Sequence, residues 1–552
     1  AALRDRVAEG RWEVLGGMWV EPDANMPGPE ALVRQIMLAR HYLDSRFGPG
    51  SETPCLWLPD TFGFPGCLPQ LMVQAGLKWF VTNKVNWNQY NQMPASTTWW
   101  EGIDGSRGLA QFLTTPREVQ HLPFPTNYKS DLSAEEVVGT WTRNTVKGPV
   151  RDLMIVYGYG DGGGGPTDDL IARARAFRAM PGAPVVTPAT VRGYFETLEA
   201  RAGPLPTWRG EFYLEGHRGV LTSQGWIKRA NRKAEALLHD AELAASLAVL
   251  AGGDAPDLTE AWRLLCLNQF HDILTGTSIT AVFDDARRDF DRLTTIAEAG
   301  LAGSAAAVAP AGAAHLVLES AQLPRVRYAV LPGDAAPVAD DAGPLPAQPV
   351  TGGVLIELPQ ADALTARALY PAPSWADAGH GAMAALTGDG GAVLDNDHLR
   401  VELGSHGMLT SVRDKRAGRE VLAPGALGNR LELFEDRPVS WDAWDIDIFF
   451  EDRGEVVGGL TEMQVIEAGP LRAAIEITRA FRRSRLTQRV VLHRASARLD
   501  FETEVDWHET HFLLKAAFPV DIRAMRAEFD IQWGQIDRPT HRNTSWDLAQ
   551  FE

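Results

Sequence analysis

The apolar residues of this chain change their spacing twice, and no single layered architecture can absorb all three spacings. Up to about residue 170, short apolar runs alternate with helical stretches: VLGGMWV, PEALVRQIMLARHYLDSRF, PCLWLPD, LPQLMVQAGL, WFVTN. That alternation predicts an α/β layer with mostly parallel strands. The next stretches, SQGWIKRANRKAEALLHDAELAASLAVLAG and ITAVFDDARRDFDRLTTIAEAGLAG among them, carry the 3.6-residue period of a helical bundle. After residue 385 alternate residues are apolar in HLRVEL, LRAAIEITRAF, LTQRVVLH and ARLDFETEVDW, which predicts a large antiparallel β-sandwich. A chain of 552 residues exceeds what one core can hold, so the fold class is multidomain α/β, then α, then β. The expected units are an N-terminal α/β domain over 1–166, closed by a strand at VRDLMIVYGYG; a helical domain over 167–301; an Ala/Pro/Gly-rich linker with short strands over 302–384; and the sandwich over 385–552.

Charge and composition exclude several functions. With 53 Lys and Arg against 71 Asp and Glu, the formal net charge is −18, which repels phosphate backbones and argues against nucleic acid as a partner. No apolar run approaches the roughly 18 residues that span a bilayer, so no membrane helix is expected. Cys55, Cys67 and Cys266 are too few and too scattered for a disulfide framework, which points to a reducing, cytoplasmic location. The opening AALRDRVAEGRWEVLGG reads as the end of a helix running into a strand, and the closing RNTSWDLAQFE stops in a β-type pattern. Truncation at both ends is the expectation.

Three constellations could carry chemistry. In PCLWLPDTFGFPG an apolar run ends at Asp60, and a carboxylate just past a parallel strand points into the ligand crevice; the plain alternative is a turn or N-cap aspartate. In NQFHDILTGTS, His271 and Asp272 end an apolar helix, where imidazole is a common zinc ligand and the carboxylate can orient it; the alternative is a capping or core histidine. In IVYGYGDGGGGPTDD, Gly158, Gly160 and Gly163 match G-x-G-x-x-G, but the acidic residue due about 20 positions on is replaced by PGAPVVTPAT. A nicotinamide site therefore fails, and a glycine-rich loop presenting Asp161 is left, with a bland surface loop as its alternative. His508, Glu509 and His511 have the wrong spacing for a metalloprotease helix.

Taken together, GGMWVEPDANMP, LWLPDTFGFPGCLPQ, KVNWNQYNQMP, YGYGDGGGGP, EFYLEGHRGVLTSQGWIKRANR, NQFHDILTGTS, FEDRPVSWDAWDID and RPTHRNTSWD resemble, in order along nearly the whole chain, the family 38 glycoside hydrolases of the bacterial and cytosolic branch. The resemblance implies a zinc-dependent retaining exo-α-mannosidase acting on terminal α-linked mannose of oligosaccharides or glycans through a covalent glycosyl-enzyme. It also implies a seven-stranded, barrel-like N-terminal domain. By the same resemblance Asp60 is nucleophile and zinc ligand, His271 a second zinc ligand and Asp161 the acid/base. Asp272, His217 and Lys84 would contact sugar. A retaining mechanism needs two carboxylates roughly 5 Å apart, roles that Asp60 and Asp161 would fill. The family draws two more zinc ligands from a His-x-Asp motif ahead of the first residue here. None of the 13 histidines has Asp two positions on, so poor zinc affinity is expected of this chain. A zinc-dependent carbohydrate deacetylase and an inactive carbohydrate-binding remnant stay open as alternatives, as does a homo-oligomer.

Overall fold

The computed structural model describes residues 2–119, 121–320, 326–360 and 364–549. Its first layer is a mixed six-stranded sheet built from β1 (Val14–Gly16), β2 (Glu52–Trp57), β3 (Trp79–Thr82), β4 (Thr97–Glu101), β5 (Arg107–Phe112) and β6 (Thr207–Arg209), in the order β1-β2-β3-β5-β4-β6. The first four in that order run parallel, β4 turns back antiparallel to β5, and β6 lies parallel to β4. Among the described residues the expected seven-stranded barrel is thus a six-stranded sheet with β1 and β6 at its edges. The expected closing strand at VRDLMIVYGYG does not join it; that segment pairs through one bridge, Tyr157 to Ser130.

All four residues of β3 are buried, and they alternate between two cores. Phe80 joins Phe64, Trp100, Phe112 and Phe212 on one face; Trp79 and Val81 join Cys55, Leu109, Tyr194 and Phe195 on the other. A strand covered on both sides has no polar face to show, which is why WFVTN reads as an unbroken apolar run. Helices α1 (Ala2–Ala8), α2 (Pro29–Phe47) and α3 (Leu68–Gln74) alternate with the early strands; α4 (Ala134–Arg143), α5 (Asp168–Phe177) and α6 (Val191–Arg201) follow β5. Trp79 stacks on Phe195 of α6 at 5.0 Å, and each such buried ring contributes about 1.5–3 kcal/mol. Because β6 and α6 belong to this layer, the N-terminal unit runs past residue 166 to about 210.

The helical unit consists of α7 (Gly225–Leu250), α8 (Thr259–Asn268) and α9 (Thr280–Val308), packed around Ile227, Leu238, Trp262, Leu265, Phe290 and Leu293. It is tied to α2 by buried amides. Gln35 Nε2 donates to the Cys266 carbonyl (2.8 Å) and Gln269 Oε1 (3.2 Å), and Gln269 Nε2 donates to Asn231 Oδ1 (3.0 Å).

The linker expected to carry short strands folds them into two small sheets. One has four strands within 315–371 and the other three within 327–358, closed over Leu331, Val338, Leu345, Ile356, Leu358 and Leu369. Beyond them a five-stranded antiparallel sheet (383–420) packs face to face on a four-stranded one (460–506), Leu394, Val401 and Leu403 meeting Ile475, Ile477 and Val490. A hairpin, Arg526–Ile531 with Gly534–Pro539, returns to the first unit, where Gln532 Nε2 donates to the carbonyls of Asn25 (2.7 Å) and Pro27 (2.8 Å). Residues Ser545–Ala549 form a helix rather than the expected β-type ending, and 550–552 lie outside the described residues. All three cysteines are free and buried, and among the described residues no helix is long and apolar enough to cross a membrane.

Candidate active site

The site lies where β2, β3 and β5 end. Past Trp57 the chain makes a last ladder bond from Leu58 N to the Val81 carbonyl, and the Pro59 carbonyl then accepts both Asn83 N and Lys84 N. These bonds hold the two strand ends together, so Lys84 Nζ lies 2.6 Å from Asp60 Oδ1. The turn after Asp60 needs glycine. Gly63 has φ +96°, and a Cβ there would press on Asn25 and Phe212. The loop after β5 is pinned by Thr126, whose hydroxyl donates to Asn83 Oδ1 (2.6 Å) and whose carbonyl accepts Trp87 Nε1 (2.8 Å). Tyr128 and Lys129 follow.

The Tyr128 hydroxyl lies 2.9 Å from Asp60 Oδ2 and in closer hydrogen-bond contact with Asp161 Oδ1. One hydroxyl has one proton to give, so both contacts are hydrogen bonds only when one carboxyl is protonated and donates back to the phenol oxygen. Lys129 Nζ, 3.3 Å from Asp161 Oδ2, completes the group. Burial pushes the Asp161 carboxyl up, but the Tyr128 bond and the Lys129 charge outweigh it and hold it below the usual carboxylate range. Burial, with the Asp60 charge second, drives the Tyr128 phenol well above its ordinary value, so it stays protonated as a donor.

The second domain supplies His271, in the turn that follows α8. Its Nδ1 is 2.8 Å from the Glu21 carbonyl, which fixes the proton on Nδ1 and leaves the Nε2 lone pair facing Asp60 Oδ2 at 3.8 Å and Asp272 Oδ2 at 3.9 Å. An imidazole lone pair and a carboxylate at that spacing fit a divalent metal as two of its ligands. Among the described residues no group of three or more His, Cys, Asp or Glu completes a metal site. Glu21 sits beside this pair, its Oε1 accepting Asp60 N at 2.5 Å; burial pushes its carboxyl up to about 7, with the nearby His271 pulling the other way.

Sequence reasoning named Asp60, Lys84, Asp161, His271 and Asp272, and the fold brings all five together. His217 stands behind this group, within reach of the Lys84 and Asp60 charges but buried with its ring edge-on to Phe62 at 4.8 Å. It is held there by the third domain. Asp445 Oδ1 accepts His217 N (2.5 Å), and Trp441 packs on Trp87 at 5.5 Å and on His217 at 5.6 Å. Tyr128, Lys129 and Glu21 were missed. A cleft of about 910 Å³ lies beyond Phe62 against the 526–539 hairpin, and the carboxylate cluster does not line it. His508 and His511 occupy the turn before the 512–517 strand, where each faces an aspartate, Asp506 and Asp442 respectively.

Comparison with known proteins agrees with this division of the chain. Residues 1–211 match the glycosyl hydrolases family 38 N-terminal domain, 215–307 the alpha mannosidase middle domain, and 394–552 the glycosyl hydrolases family 38 C-terminal domain. Alpha-mannosidase 2C1 of Mus musculus is 37% identical over 561 residues, covering 100% of this chain and 52% of that protein. Alpha-mannosidase G of Dictyostelium discoideum is 31% identical over 601 residues, covering 100% and 53%. The chain therefore spans about half the length of the curated relatives it matches. An alpha-mannosidase from Enterococcus faecalis shares the fold, with a TM-score of 0.76 at 17% identity over 99% of this chain and 71% of that one. With three consecutive domain matches and relatives above 30% identity end to end, the chain belongs to glycosyl hydrolases family 38.

Proposed function

We propose that this chain carries the catalytic machinery of a zinc-dependent retaining exo-α-mannosidase that removes terminal α-linked mannose from oligosaccharides or glycans. The observation that carries the reading is the single Tyr128 hydroxyl in contact with both Asp60 and Asp161, which keeps two carboxyls within two hydrogen-bond lengths. That is the order of the roughly 5 Å spacing at which one carboxylate attacks the anomeric carbon while the other protonates the departing oxygen. The names of the relatives, alpha-mannosidases, support mannose as the sugar.

In this reading Asp60 forms the glycosyl ester as the Asp161 carboxyl gives its proton to the leaving oxygen. Asp161, now a carboxylate, takes a proton from water, which attacks the same carbon and frees Asp60. The Lys84 ammonium pairs with Asp60 at 2.6 Å and holds it in place, and Asp272, partly open beside His271, accepts a sugar hydroxyl. Asp60 and His271 would hold the zinc ion among its ligands; when bound, its chemistry is to fix sugar hydroxyls and orient the ring. The three buried free thiols favour a reducing cytoplasm as its place of work. The test is hydrolysis of an aryl α-mannoside by the whole protein, with and without a chelator, beside Asp60→Asn. Activity that is lost to the chelator and falls by at least about 1,000-fold in the variant is expected. Turnover near wild type in Asp60→Asn would overturn the assignment.

A further inference from the structure

Residues 21–23 form a short strap between the two domains that meet at the site. Pro22 confines Glu21 to extended backbone and forms an antiparallel bridge with Phe270. On the helical side, the Glu21 carbonyl accepts His271 N (3.1 Å) and faces His271 Nδ1 (2.8 Å), and Asp23 N donates to the Gln269 carbonyl (2.9 Å). On the sheet side, Glu21 Oε1 accepts Asp60 N (2.5 Å) and the Pro22 carbonyl accepts the Thr61 hydroxyl (2.8 Å). Asp60 N has passed the last ladder bond of β2, and the acceptor it finds is the Glu21 side chain.

We propose that Glu21 is a positioning residue that sets the separation of Asp60 and His271 across the domain junction, its carboxylate holding the Asp60 main chain while its carbonyl holds the imidazole. No other residue among those described bonds to both. A carboxylate is used where any acceptor oxygen of the same reach would serve, because the partner is a neutral amide. Glutamine therefore preserves the hold and alanine abolishes it, while the contact of the carbonyl with His271 survives both changes. What moves in alanine is the Asp60 side of the pair.

The proposal rests on the glycosidase reading only in calling Asp60 the attacking group, and its test separates the two. In the whole protein, Glu21→Ala and Glu21→Gln are compared with wild type by amide hydrogen exchange over residues 58–64, by melting temperature, and by kcat and KM on an aryl α-mannoside. The expected result is faster exchange in Glu21→Ala confined to that segment, an unchanged melting temperature, and kcat lower by about 100-fold with KM nearly constant, since a misplacement of about 1 Å costs on that order. Glu21→Gln keeps the protection and most of kcat. Wild-type exchange and kcat in Glu21→Ala would overturn the proposal, as would loss of protection throughout the domain or a Gln variant as impaired as Ala. A wild-type protein that cleaves no α-mannoside sinks the glycosidase reading instead, and the exchange comparison still decides the positioning role.

Discussion

In its proposed acid role Asp161 faces opposing demands. A general acid has to carry its proton when the substrate arrives, yet the Tyr128 hydroxyl and the Lys129 ammonium both favour the charged form. Removing Lys129 relieves part of that bias, so Lys129→Met raises the Asp161 pKa and the acid form persists to higher pH. The basic limb of the kcat/KM profile on an aryl α-mannoside should move upward in Lys129→Met, with the optimum rate little changed; a limb that stays put would remove Asp161 from the acid role. Asp60, Asp161 and His271 were legible because each ends or follows a patterned element and lies in a recognisable motif. Tyr128 and Glu21 were not, because their roles are set by partners 68 and 39 residues away through loops with no period of their own.

At the scale of elements, the contact between α2 and the end of α8 depends on groups that have no water to fall back on. Gln35 is fully buried, and replacing it by leucine of similar size leaves the Gln269 amide oxygen and the Cys266 carbonyl each short of a donor. At about 1–3 kcal/mol for each orphaned group, Gln35→Leu should destabilise by roughly 2–6 kcal/mol in urea unfolding. A cost under about 0.5 kcal/mol would show that other partners replace these bonds. Elements with a clear signal, such as the unbroken apolar run of WFVTN and the period of the long Ala-rich helices, were read correctly from the sequence. Between 315 and 371 short strands were expected but not their assembly into two sheets, because they are two to seven residues long and interrupted by proline and glycine, too short for alternation to show their pairing. VRDLMIVYGYG failed the other way: its apolar run is half-buried against the clusters that hold Phe195 and Phe177, without a ladder.

Over the whole molecule, the 436–447 loop, which reaches Trp87 and His217 through Trp441, is crowded with negative charge. Burial, then Asp442, pushes the Asp436 carboxyl up to about 6, and its Oδ1 is buried without a hydrogen-bond partner. A carboxyl whose folded pKa is raised contributes stability below its unfolded value, near 3.8, and loses that contribution as pH rises through about 6. The molecule should therefore melt higher at pH 5 than at pH 7.5 on this account. Asp436→Asn should raise the melting temperature at pH 7.5 and flatten the difference; equal pH dependence in variant and wild type would exclude Asp436 as its source.

The strap at residues 21–23 also dictates when the site can exist. Glu21 leaves the ribosome 250 residues ahead of His271, and at roughly 5–20 residues per second that gap lasts about 12–50 s. Throughout that interval the nascent sheet holds Asp60 with no imidazole opposite it, so chemical competence arrives late in synthesis, as a property of the docked chain rather than of its first domain.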